Sequence, residues 1–167
     1  MNVMYAYALY SRGFVRDGFD VIQSIYKMSC DGAKAKIYPG IPEYFDSEGR
    51  GMYHYLTGSA SWLVLTVLTQ AFGVRGHYGD LLLAPKLVKE QFNGRMEAGI
   101  SCQFAGHSIT VTYKNPRKLD TGKYKIAQVL INGQLAAFDR SGTSDVIIKR
   151  AQIQALAAIE ALLEESS

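Results

Sequence analysis

The sequence predicts an α+β chain: helices first, then a small antiparallel β-sandwich, then a closing helix. Three observations predict it. Apolar residues recur at helical spacing in the first third of the chain. From about residue 80 the pattern changes, and Ile109, Val111 and Tyr113 alternate with polar residues, as in a half-buried strand. Asn132-Gly133, between two apolar runs, meets the demand of a type I′ hairpin turn for two left-handed residues.

The elements follow in order. Asn2 is an N-cap candidate, and residues 4–10 read as a short helix, apolar nearly all round. Ser11-Arg12-Gly13 breaks it. A second helix over 15–28 carries Val15, Phe19, Ile22 and Tyr26 on one stripe, with Asp17 and Asp20 early and Lys27 late, as the helix dipole favours. Gly32 closes it, and the pair makes a helical hairpin. The wording ALYSRGFVRDGFDVIQSIY has a tetratricopeptide look, but a single copy cannot build a stacked core. Residues 30–52 form a long irregular segment with Pro39, Gly40, Pro42, Gly49 and Gly51. Its anchors Ile37, Tyr38, Ile41, Tyr44 and Phe45 argue for a functional loop over disorder.

A third helix spans 59–72 and ends at Gly73. Apart from His54, no residue that carries charge near neutral pH stands between Gly51 and Val74, so this helix is expected to be buried on most sides. Strands are predicted at 80–83, at 99–104 and 107–113 around Ala105-Gly106, at 123–131 and 134–138 around Asn132-Gly133, and at 145–149. The tail over 150–164 places Ile153, Leu156, Ile159 and Leu163 at helical spacing and reads as a terminal helix. The domains expected are therefore a helical part, 1–75, and a β-sandwich with a terminal helix, 76–167.

Bulk properties narrow the function classes. A chain of 167 residues, 48% hydrophobic and 20% charged, has ample core and is not disordered. Its Lys and Arg are scattered and the net charge is +3, which argues against a nucleic-acid partner. Cys30 and Cys102 allow one disulfide, but read more readily as two buried thiols of a cytosolic protein. No basic region precedes the N-terminal apolar run, so no secretion signal is expected. The longest apolar stretch is interrupted by Thr66, Thr69 and Gln70, which suits a core helix and not a membrane span. A cytoplasmic location is the expectation.

The chemistry gathers in GRGMYHYLTGSASW, residues 49–62. Thr57-Gly58-Ser59 opens the third helix, where the first N–H groups lack internal partners and the dipole favours anions. Phosphate, sulfate or a carboxylate is the functional reading; the plain one is an ordinary N-cap. Glu43, Asp46, Glu48 and Arg50 lie ahead among Tyr38, Tyr44, Phe45, Tyr53 and Tyr55, a mixture that suits a sugar site or, more plainly, a solvated loop with its rings tucked inward. His54 reads as a packed histidine, and His77 and His107 receive no role. There is no P-loop lysine, no zinc-ligand spacing and no nucleophile elbow around Ser59 or Ser61. No metal, no organic cofactor and no catalytic residue is assigned.

The run from Tyr38 to Leu87, with IPEYF, GRGMY and YLTGSASW in succession, resembles the C-terminal region of the inverting β-glycoside phosphorylases. These include cellobiose, cellodextrin and chitobiose phosphorylases and the phosphorylase-like part of cyclic β-1,2-glucan synthases, and the wording is most similar to the last. The resemblance implies the final helices of an incomplete (α/α)6 barrel followed by a C-terminal β-sandwich. It implies that Thr57 and Gly58, with Ser59 beside them, bind inorganic phosphate as co-substrate. Glu43 stands where the family often has a substrate-binding Gln, and with Tyr44 it would contact the sugar. An inverting glycosidase needs two carboxylates, one of them to activate water. A phosphorylase attacks with phosphate instead, so it needs one acid and an anion site.

The family's general-acid aspartate, and the arginine and histidine of its phosphate site, match nothing from Met1 onward. The implied partners are a β-gluco-oligosaccharide, phosphate, and either a chain supplying the rest of the barrel or a second copy. No activity is expected of the chain alone. Two other readings stand beside this one. The first is a non-catalytic module whose β-sandwich serves for carbohydrate contact or packing. The second is a stand-alone hydrolase using Glu43 with Asp46 or Glu48.

Overall fold

A computed structural model describes residues 2–37, 40–53 and 58–166. The chain divides into two compact units, Met1–Val67 and Leu68–Ser167. Its class is α+β, with the longer helices in the first unit and the larger sheets in the second.

In the first unit, α1 (Asn2–Ser11) and α2 (Val15–Cys30) make the predicted helical hairpin. A single turn, α3 (Gly32–Ala35), follows, with Asp31 accepting the Lys34 N–H at its start. The strands β1 (Tyr44–Phe45) and β2 (Gly51–Met52) then pair as a small antiparallel hairpin, and α4 (Gly58–Thr66) packs on α1. The ring of Tyr7 meets Trp62 edge-on at 5.3 Å.

The buried stripe of α2 is Val15, Gly18, Ile25 and Ser29, not the expected Val15, Phe19, Ile22 and Tyr26. Gly18 explains the rotation. A Cβ there would stand 2.6 Å from the Tyr10 ring, so the small residue faces α1 and lets that buried ring approach the helix backbone closely. Burial pushes the Tyr10 phenol above its ordinary range. Tyr26 is left 62% exposed.

The third helix also differs from expectation. Its α-helical part ends at Thr66 and the backbone continues as a π-helical turn, Val67–Ala71. Within α4 only Ser59 and Thr66 are buried, while Val64 is 66% and Leu65 41% exposed. Met4, Tyr5, Phe14 and Met28 add to this apolar surface. The three long helices bury one another only along narrow seams, because each is apolar over a wider arc than its neighbours cover.

The second unit holds two sheets. β3 (Val74–His77) and β4 (Asp80–Leu83) form a hairpin; β5 (Glu97–Phe104) and β6 (His107–Lys114) form another. β7 (Tyr124–Ile131) turns through Asn132 and Gly133, at φ 51° and 80°, into β8 (Gln134–Leu135), the predicted type I′ hairpin. β9 (Asp139–Ser141) and β10 (Asp145–Ile148) complete the four-stranded antiparallel sheet β3-β4-β10-β9.

The tail is a strand, not a terminal helix. β11 (Leu156–Glu165) runs through the middle of the five-stranded sheet β5-β6-β11-β7-β8, parallel to β6 and antiparallel to β7. The sheet is therefore mixed and not wholly antiparallel. Ala157, Ile159, Ala161 and Leu163 alternate into the core, a period-2 set that the helical spacing of Ile153, Leu156, Ile159 and Leu163 had masked. A bulge at Leu162/Leu163 absorbs one residue of β7, so burial there switches phase from Tyr124 and Ile126 to Val129 and Ile131.

The buried rows of the two sheets are Ile109, Val111, Tyr113, Ile126 and Ile159 on one and Leu81, Leu83, Val146 and Ile148 on the other. Two tyrosines fasten the connecting loops. Tyr113 donates to the Phe72 carbonyl at 2.6 Å, and Tyr124 is engaged with both main-chain groups of Leu87. Asp80, at the start of β4, accepts the Arg150 N–H and pairs with Lys149; these contacts hold its carboxyl below its ordinary range. Both cysteines are free; Cys30 is exposed, against expectation, and Cys102 is half-buried.

Candidate functional site

The predicted sugar and phosphate residues that the structure describes meet in the first unit. Thr57 lies outside the described residues, as do Tyr38, His54 and Tyr55. Gly58 and Ser59 form the first turn of α4, Gly58 exposed and Ser59 only 7% exposed.

Glu43 reaches this turn from the loop ahead of β1. Its own N–H bonds to the carbonyls of Met52 and Tyr53, which fixes it at the open end of the β1–β2 hairpin. Its carboxylate Oε2 accepts the Ser59 N–H at 3.2 Å, and Ser59 Oγ donates to the Glu43 carbonyl at 3.1 Å. The chain's own carboxylate thus caps α4, where the partial positive charge of the helix is greatest. A Cβ on Gly58 would lie 3.8 Å from the same carboxylate. Sequence reasoning placed Glu43 and Ser59 in one site but did not foresee that the two would bond to each other.

A cleft of about 1010 Å³ opens beside this contact. Glu43, Tyr44, Asp46 and Ser59 line it, together with Asp20, Ser24 and Met28 from α2. The sequence assigned none of those three α2 residues to the site, although their spacing of four puts them on one helix face. Ile25, Ile41 and Phe45 supply apolar wall. No lysine or arginine is among the described lining residues. The cleft is large enough for an oligosaccharide and its polar side is acidic.

Tyr44 is half exposed, with its ring 6.1 Å from that of Tyr53. Two tilted, accessible tyrosine rings offer flat faces for sugar C–H groups. Asp46 is occupied in shaping the turn between β1 and β2, where its Oδ1 accepts the N–H groups of Glu48 and Arg50, each at 2.9 Å. Glu48 and Arg50 are exposed on that turn and do not themselves line the cleft.

Chemically, the site presents hydrogen-bond acceptors for sugar hydroxyls and one helix end that is already satisfied by a carboxylate. Phosphate approaching the Ser59 N–H would meet Glu43, and two anions repel at that distance. Among the described residues no group of three or more His, Cys, Asp or Glu is arranged to hold a metal ion. None of their helices is long and apolar enough to cross a membrane. Comparison with known proteins adds no family to this geometry: no family model matches the chain, and neither does any curated protein.

Proposed function

We propose that this chain is the C-terminal portion of a glycoside phosphorylase acting on β-glucosides, in reversible phosphorolysis to α-glucose 1-phosphate. The first unit would supply the last helices of an (α/α)6 barrel and the second its β-sandwich. One observation carries the reading: Glu43, from the sugar-side loop, and Ser59, from the anion-side helix turn, are bonded to each other at the rim of one cleft. The exposed apolar faces of α1, α2 and α4 support it, since helices in a closed ring need neighbours on both sides. The phosphate role of Thr57 rests on the sequence resemblance alone.

The reading assigns the cleft to the sugar, with Glu43 accepting hydroxyls and Tyr44 stacking on the ring. Phosphate oxygen attacks the anomeric carbon from the α4 side. The glycosidic C–O bond breaks with inversion, and the leaving oxygen takes its proton from an acid on another part of the barrel. Arginine and histidine from that part would neutralise the phosphate, because the described residues of this cleft bring no cation to it.

A second reading is favoured by the capping carboxylate. A Glu fixed beside a sugar cleft is also what activates water in an inverting hydrolase. Products separate the two. Given β-1,2- or β-1,4-gluco-oligosaccharide with phosphate, the chain alone is expected to bind the sugar and release neither α-glucose 1-phosphate nor glucose. Binding should weaken at least tenfold in Glu43→Ala. Phosphate-independent glucose release that disappears in Glu43→Gln would replace phosphorolysis by hydrolysis. A chain that binds no oligosaccharide at millimolar concentration would contradict both.

A further inference from the structure

The sheet edges of the second unit are unequally guarded. β3 has four residues, β9 three and β8 two; β3 carries Arg75 and β9 carries Asp139 and Arg140. Short, charged strands resist pairing with another chain. β5 is also an edge, but an eight-residue one, EAGISCQF, without proline and without charge after Glu97.

Its register with β6 shows which of its amides face outward. Phe104 pairs with His107 across the two-residue turn Ala105-Gly106, so it is a hydrogen-bonded pair. Alternation then gives Cys102, Ile100 and Ala98 to the β6 ladder and points the main-chain groups of Gln103, Ser101, Gly99 and Glu97 away from it. Glu97 is already closed off: Asn93 donates its N–H to the Glu97 carbonyl at 2.9 Å and accepts the Glu97 N–H on Oδ1 at 3.1 Å. Gly99, Ser101 and Gln103 are exposed and have no main-chain bond beyond the β6 ladder among the described residues.

We infer that β5 is the contact strand of a homodimer, in which the β5 strands of two copies pair antiparallel about a two-fold axis at Ser101. In that register Ser101 faces the partner's Ser101, and Gly99 faces the partner's Gln103. These are the outward-pointing residues, so every free N–H and C=O on the edge finds a mate. The free set is symmetric about Ser101, which is why a second copy of the same strand satisfies it. A slip of two residues leaves Gly99 or Gln103 unmatched, and a slip of one turns side chains to the wrong face.

The side chains agree with the register. On the core-facing side, Ile100 lies against the partner's Cys102 and Phe104 against the partner's Ala98. Ile100, Cys102 and Phe104 are only half-buried along this edge, and they gain apolar neighbours. On the opposite side Ser101 meets Ser101, with no like charges opposed. The dimer joins two five-stranded sheets into one of ten.

The test uses the full chain. Sedimentation equilibrium should show a monomer–dimer equilibrium in the micromolar range. Ser101→Pro should shift it to monomer by at least tenfold, since it removes an outward N–H and leaves the β6 ladder intact. Ile100→Cys in a Cys30→Ser background should form an interchain disulfide with Cys102 on mild oxidation by diamide, because non-bonded antiparallel pairs bring Cβ atoms close. Adding Cys102→Ser should abolish that link. A wild-type chain that stays monomeric at 100 µM (a concentration on the order of ten times the expected midpoint) would overturn the inference. So would a dimer that survives Ser101→Pro, or an Ile100→Cys variant that does not cross-link.

Discussion

Replacing Gly73 with Ala is expected to unfold the second unit, at a cost above about 4 kcal/mol. Gly73 sits at φ +64°, and a Cβ there would be 1.9 Å from the Ala84 carbonyl oxygen and 2.1 Å from its carbon. The obstacle is main chain and cannot rotate away. Relief requires the 71–73 and 84–86 segments to part, which breaks the Ala84 N–H bond to the Gly73 carbonyl and the Lys86 N–H bond to the Ala71 carbonyl. Left-handed backbone adds about 1 kcal/mol for any residue with a Cβ. The sum is comparable to the whole stability of a small domain. Urea unfolding followed by far-UV circular dichroism, with hydrogen exchange at the Leu81–Leu83 amides, reads the effect. A midpoint like that of the wild type would contradict this geometry.

Tyr124→Phe is expected to cost about 1–3 kcal/mol, although it keeps the ring and its packing. The Leu87 N–H donates to Tyr124 Oη at 2.7 Å, and the hydroxyl lies 2.9 Å from the Leu87 carbonyl. Leu87 is fully buried and Tyr124 is 1% exposed, so water cannot replace the lost partner. An orphaned N–H is the costlier loss, which sets up a comparison. Tyr113→Phe removes a single donor from the Phe72 carbonyl and should cost less. Both variants should lower the urea midpoint without altering the slope, and equal midpoint shifts would argue against the assigned bonds.

Local chemistry made some of this fold legible and left the rest hidden. The Asn132-Gly133 turn and the break at Ala105-Gly106 announced two hairpins, because Asn132, Gly133 and Gly106 adopt left-handed φ at little cost wherever they sit. β11 was hidden for the opposite reason. LAAIEALLEE is built of good helix formers, and only the flanking partners β6 and β7, drawn from distant sequence, make it a strand. The rotated face of α2 turns on one glycine against one ring, a fit that periodicity does not encode. At the site, Glu43, Tyr44 and Ser59 were visible as residue types in the right order. The hydrogen bonds between Glu43 and Ser59 were not, since they span sixteen residues of irregular chain.

That contact makes phosphate binding at the head of α4 measurable. Glu43→Gln retains an acceptor for the Ser59 N–H while removing a charge a few ångströms from any anion bound there. Relief of about 1.4 kcal/mol in such a setting corresponds to roughly tenfold tighter phosphate binding. The measurement is a titration of both proteins with inorganic phosphate, followed through the amide resonances of Gly58 and Ser59. Saturable shifts are expected at both residues, with Glu43→Gln binding about tenfold more tightly than wild type. Resonances of Gly58 and Ser59 that stay fixed in both proteins at millimolar phosphate would contradict a phosphate site at this helix end.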